Sequence, residues 1–352
     1  MKTPKVKLYS GDSMKKIYAS VILLLSIQLP SFAWIENSGH LFMNPTSDSE
    51  PAPVVTGRVF FWIPYENSFR GGNYRFTNYL TASEIGYSSF AFGTDVTARG
   101  SYSNSFGFLT RAASSFTFAA GYNGEASGYA SAALGHSGDS LGAYSLTVGR
   151  SNTALGTGSI ALGYANEAAG YASVALGNSN EALGDYSFAM GDNNISLEEG
   201  SVSFGFLNQS TGESSFTAGH FNIASAPDAF AIGYETNVSS WASFASGYKN
   251  NVSNQTAGAV GVFLDVQTCD TFAVGLANDG SVLGTGGHRP LFMVGNGTVD
   301  YGSDTDSDGS IIGDSDDLAS NRKNALVVYA NGYTELKVEE KGGIPMGSFT
   351  AD

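Results

Sequence analysis

Gly93, Gly107, Gly121, Gly135, Gly149, Gly163, Gly177, Gly191, Gly205, Gly219, Gly233, Gly247, Gly261 and Gly275 follow one another at intervals of fourteen residues, without one insertion or deletion. The five residues ending on each glycine share one form: small, variable, small, usually apolar, Gly. Examples are "SFAFG" (89–93), "SIALG" (159–163), "SVALG" (173–177) and "TFAVG" (271–275). In several copies a second glycine stands seven residues earlier, at Gly86, Gly100, Gly128, Gly142, Gly156, Gly170, Gly184 and Gly212. Chance does not hold a register over such a stretch, so the chain is built from a repeated structural unit.

The alternation inside each pentad has period two, which is the period of a strand and not of a helix. The glycine then permits the φ > 0 or close backbone approach that a corner needs, and the second glycine or its Ser/Asn replacement makes the next corner. Two strands and two turns in fourteen residues make one coil of an all-β, parallel solenoid. Thirteen steps of about 4.8 Å give a rod of about 60 Å. Pairs such as Leu146/Val148, Ile160/Leu162 and Phe188/Met190 point to one side of their strand. The Ser and Ala between them point to the other. The expectation is that the large residues fill the lumen, while the small side allows close approach of another surface. A coil this slender buries a low fraction of its surface, which packing several identical coils around an axis would cure.

Composition agrees with buried structure. Hydrophobic residues make up 42% of the chain and charged ones 14%, so its 45 glycines do not signal disorder. The formal charge of −15 argues against nucleic acid and anionic membranes as electrostatic partners. Residues 1–33 read as an export signal: lysines lead into "IYASVILLLSIQLP", then "SFA", whose Ser31 and Ala33 suit a signal peptidase. The alternative is a buried N-terminal helix. Cleavage after Ala33 would remove five lysines and one aspartate, leaving −19 and no membrane-spanning segment in the mature chain. Cys269 is the one cysteine, so no intramolecular disulfide can form, and it reads as a small buried hydrophobe.

The repeats resemble the head repeats of the trimeric autotransporter adhesins, the YadA-like (Hep/Hag) family. The hallmark of that family is a fourteen-residue unit with S-V-A-I-G and A-x-G segments. "SVALG" (173–177), "SIALG" (159–163) and "ASG" (126–128) carry the likeness, which covers about residues 82–280. The resemblance implies a left-handed parallel β-roll, three rolls forming a homotrimer, and a surface-exposed role in binding an extracellular protein or glycan. It also implies no catalysis. A complete family member continues into a coiled-coil stalk and an outer-membrane barrel. The tail "TELKVEEKGGIPMGSFTAD" (334–352) shows neither sustained heptads nor an alternating anchor segment.

The flanks break the period. Residues 34–81 hold a strongly β-prone run, Val59–Ile63, followed by Pro64 and Gly71-Gly72, and read as an N-terminal β cap or a small independent β module. Residues 281–352 read as a C-terminal β cap. Its strands in "HRPLFMVGNGT" (288–298) and "RKNALVVYANG" (322–332) end in Asn-Gly turns and are separated by an Asp-rich insertion, 299–320.

No catalytic motif is present: His40, His136, His220 and His288 show no metal-ligand spacing, and acidic residues are not clustered with Lys or Arg on one face. No cofactor is required by this reading. In the insertion, Asp304, Asp306 and Asp308, with Asp314 and Asp316 beyond, have the hard oxygen donors and odd-position spacing of a Ca²⁺ loop. Ser315 stands where such a loop carries Glu, and a solvated acidic loop is the equal alternative. Tyr122, Tyr164, Tyr234 and Tyr248 follow the first glycine, and Tyr129 and Tyr171 the second. Corner tyrosines suit protein or glycan recognition, or pack along neighbouring coils. The functional expectation is therefore a non-catalytic adhesin head, secreted or at the cell surface. Its rival is a passive structural protein of the surface or matrix.

Overall fold

Period-two alternation does produce strands. The computed structural model describes residues 33–35, 41–43, 57–63, 66–75, 82–278, 290–296, 324–330, 334–336 and 349–351. Every coil contributes one five-residue strand, from Phe90–Thr94 in the first to Phe272–Leu276 in the last. Each but the last also contributes one two-residue strand, from Thr97–Ala98 to Asp265–Val266. Each pairs in parallel with its equivalent fourteen residues on, as in Ala161↔Ala175 and Ala175↔Ala189. The result is a parallel β-solenoid with one long-strand and one short-strand sheet.

The ladder runs past the counted repeats at both ends. Gly57–Ile63 and Ser68–Tyr74 form an antiparallel hairpin whose second strand adds in parallel to the first coil, with Gly72 opposite Gly93. At the other end Pro290–Asn296 adds in parallel to the last coil, with Gly295 opposite Gly275. Asn324–Tyr329, Thr334–Leu336 and Phe349–Ala351 then continue antiparallel. The fourteen-residue count fails after Gly275 because of an insertion, yet the strand pattern survives it.

The fourteen phased glycines lie inside the long strands rather than at corners. Their φ values run from +107° to +154°, and a Cβ added there would lie 1.8–2.4 Å from the carbonyl oxygen of the glycine one rung on. Only glycine lets the rungs approach so closely. The corners themselves are made two residues later. Left-handed residues recur every seven positions from Ser88 to Ala277, and apart from Gly158 and Gly200 they carry side chains. That conformation costs roughly 1 kcal/mol per residue. A hydrogen bond to the preceding coil offsets it, as where Tyr102 N–H donates to Tyr87 O at 2.7 Å and Ala165 N–H to Arg150 O at 2.9 Å.

The lumen holds the small residues, which reverses the expectation for the large ones. Ala161, Ala175 and Ala189 on the long strands and Ala154, Ala168 and Ala182 on the short strands are fully buried. Two strands seven residues apart in sequence close the coil so tightly that in the middle coils alanine against alanine fills it, while Val238, Val252 and Val266 take the short-strand place towards the C-terminal end. Leucine or phenylalanine at the alternate positions must therefore face out. The small residue opening each pentad is buried too, and in four coils a serine there donates its hydroxyl to the second glycine's carbonyl, as from Ser103 Oγ to Gly100 O at 2.6 Å and from Ser159 Oγ to Gly156 O at 2.7 Å.

One lumen corner is polar. Asn152, Asn166, Asn180, Asn194, Asn208 and Asn222 stack rung on rung. Asn180 Nδ2 donates to Leu176 O at 2.9 Å, to Gly191 O at 2.8 Å and to Asn166 Oδ1 at 3.1 Å. The ladder thus satisfies carbonyls that the phased glycines leave at the corner.

Candidate functional site

With the lumen closed by side chains, the candidate recognition surfaces are the outward faces. The first is the outer side of the long-strand sheet. Its two columns comprise the residues three before and one before each phased glycine, and only Asn104 and Ser246 among them are polar. Phe92 is 48% exposed and Met190 45%, unusually high for such side chains on regular strands. Phenylalanines run along this face in contact: Phe69–Phe90 at 4.8 Å, Phe90–Phe106 at 5.2 Å, Phe216–Phe230 at 4.6 Å and Phe230–Phe244 at 5.3 Å between ring centroids. The strip is about 60 Å long, and a width of about 10 Å makes it on the order of 600 Å². That is the upper end of what soluble monomers expose.

The tyrosines singled out from the sequence do not meet in one place. Tyr122, Tyr164, Tyr234 and Tyr248 end their long strands at one corner of the coil. Tyr122 lies between Phe108, at 5.1 Å, and His136, at 4.7 Å, with all three rings nearly parallel. Arg150 covers the Tyr164 ring at 5.5 Å, and Tyr234 stacks on Tyr248 at 5.2 Å. A hydrogen bond to Glu235 pushes the Tyr234 phenol above its ordinary range.

Tyr129 and Tyr171 stand at the other corner, beside the second glycines. There Tyr87, Tyr102, Phe116, Tyr129 and Tyr144 form a run at 5.8, 5.1, 5.5 and 5.6 Å, all about half exposed. Tyr171 pairs with Tyr186 at 5.4 Å. The reading from sequence missed Tyr102, Phe116, Tyr144 and Tyr186 because they occupy the left-handed position, where aromatic residues are uncommon. Their recurrence two residues after the second glycine position was the available signal. The corner tyrosines both pack along neighbouring coils and remain accessible.

Other candidates separate as follows. His136 and His220 lie six coils apart, and among the described residues no group of three His, Cys, Asp or Glu could hold a metal ion. Asp304, Asp306, Asp308, Asp314 and Asp316 lie outside the described residues, as do His40, His288 and the part of the expected export signal before Ala33. Cys269 is half-buried and not a core hydrophobe: it sits at a corner, where its thiol donates to Asn254 Oδ1 at 2.9 Å. Among the described residues no helix is long and apolar enough to cross a membrane.

A parallel β-solenoid with an apolar outer sheet and aromatic corners defines a repeat protein whose working parts are surfaces. The repeats themselves are of a known kind: residues 141–166 and 168–194 each match the family model of the YadA head domain repeat. The same register and the same pairing extend unbroken on both sides of that stretch. No curated protein matches the chain.

Proposed function

We propose that this chain is the head of an adhesin, a non-catalytic rod that presents binding surfaces to host, matrix or neighbouring-cell ligands. The observation that carries this reading is the outward apolar strip on a solenoid of YadA head repeats. A strip so long and regular is what a second and third copy would cover, and the long-strand sheets then lie on the axis of a homotrimer. Burial at about 25 cal/mol per Å² accrues on every rung, so the length of the array multiplies the gain.

On this reading the corners and the short-strand sheet face outwards, and the half-exposed tyrosines at both corners are the first contacts offered to a protein or glycan. The chain is exported and held at or near the cell surface, and the Asp-rich loop at 304–316 takes Ca²⁺ from the medium. The rival, a passive structural protein, shares the fold and lacks the ligand. Binding of the purified chain to arrays of matrix proteins and glycans and to whole cells separates them. Saturable binding to a defined ligand supports the adhesin, whereas a trimer that binds nothing across all three supports the structural protein.

A further inference from the structure

The asparagine ladder starts at Asn152. In the coils before it the equivalent positions are Val96, Thr110, Gly124 and Gly138, and at this end the surface opens into a cleft of about 670 Å³. Its floor is one outward column of the short-strand sheet. Thr97, Arg111, Glu125 and Asp139 occupy four successive rungs in register, about 4.8 Å apart, and Glu84 and Asp95 complete the charged lining, so acidic residues do gather with an arginine on one face here, which corrects the expectation from sequence.

Asp95 is already matched, by Arg75. Neither recorded ion pair involves Glu84, Glu125, Asp139 or Arg111, so the three carboxylates face the cleft with no cationic partner among the described residues but Arg111. Two further groups are unmatched among the described residues. Thr97 is 4% exposed and its hydroxyl has no hydrogen-bond partner, and neither has the buried Nε–H of Arg111. Burial, and then the charge of Glu125, hold the Asp139 carboxyl above its ordinary range. Leaving such groups unmet is costly, and a ligand that meets them gains what they lack.

We propose that this cleft docks a basic peptide segment, with a lysine or arginine side chain on Glu125 and Asp139 and a peptide carbonyl accepting from Arg111 Nε–H. The donor set decides the class. A bare metal ion finds no three carboxylates close enough together to hold it. A polyamine supplies cations but no acceptor for Arg111. A peptide supplies both, with the Thr97 hydroxyl free to donate or accept. The site lies within one chain, so it stands whether or not the chain forms trimers.

The test is titration of a tetralysine amide peptide into the full chain at physiological salt, followed calorimetrically. General attraction to an acidic protein is controlled by two double variants of equal charge change. Glu125→Gln with Asp139→Asn removes the cleft carboxylates, while Glu167→Gln with Glu181→Gln removes two carboxylates from the same column outside it. Saturable binding is expected, weakened about tenfold or more by the first pair and within about twofold by the second. Thr97→Val, close in shape, is expected to weaken it a few-fold. Equal loss in both pairs, or no saturable binding to the parent chain, overturns the proposal.

Discussion

The two sides of each long strand carry opposite chemistry on adjacent residues. Ala175 is fully buried, while Val174 and Leu176 beside it are left partly open to solvent. In an ordinary half-buried strand the larger residues go in. Here they go out, because the coil closes within fourteen residues and its lumen has room for alanine, serine or threonine from the long strand and nothing larger than valine from the short strand. The inner side is thus a finished core in a single chain. The outer side is not, and the contrast separates the stabilisation that is local to one chain from what the proposed association with another copy would add.

The largest expected effect lies on the backbone that brings rungs together. Gly177→Ala would place a Cβ 2.1 Å from the carbonyl oxygen of Gly191 at a φ of +118°. A loss on the order of 3 kcal/mol or more per chain is expected from denaturant unfolding, and a loss below about 1 kcal/mol would show that the rungs are not so closely spaced. Next comes the lumen. Ala175→Leu should cost roughly 1–3 kcal/mol, whereas the outward Leu176→Ala should leave the isolated chain's fold intact and weaken only association. If the two variants unfold alike at low protein concentration, the inside–outside assignment fails.

The polar corner follows. Asn180→Ala leaves Leu176 O and Gly191 O without their side-chain donor and should cost about 1–3 kcal/mol, with hydrogen exchange increased on the adjacent rungs. Asn178→Leu should be milder, below about 1 kcal/mol. Asn178 closes a long strand, and its side chain donates to Asp192 Oδ1 at a partly exposed corner. The smallest effect concerns calcium: chelation should leave the melting of the repeats unchanged, since no metal cluster exists among the described residues. Calorimetry on the whole chain then reports whether residues 304–316 bind the ion at all.

Strand type, period, parallel stacking and the single-chain coil were legible in the sequence because each is written fourteen times in the same register. The direction of the strands' faces was not. Alternation separates Ala161 from Ile160 and Leu162 but carries no sign, and the usual rule of large residues inward misleads when the lumen is one alanine wide. The glycines were legible as necessary and misplaced as corners, since φ > 0 and close approach act within the strand while residues such as Tyr102 and Leu207 take the left-handed turns.

The two ends were least legible. Arg70 and Met293 occupy the lumen column where inner coils have Ala91 and Ala273, and both are fully buried. Arg70 makes four hydrogen bonds, among them from Nη2 to Ala98 O at 2.8 Å, while burial lowers its pKa to about 10 and raises that of Tyr74 to about 12. A lone "FRGGN" or "LFMVGN" does not announce that it closes a tube, because insertions shift both from the fourteen-residue count.

Everything about the outward strip converges on mass in solution. Light scattering of the purified chain across a hundredfold range of concentration, with thermal unfolding followed in parallel, tests it most directly. The expected result is three times the chain mass and an unfolding temperature that rises with concentration, as assembly-linked stability requires. A stable monomer whose unfolding temperature does not change with concentration would contradict it, and would leave the apolar long-strand face without a partner.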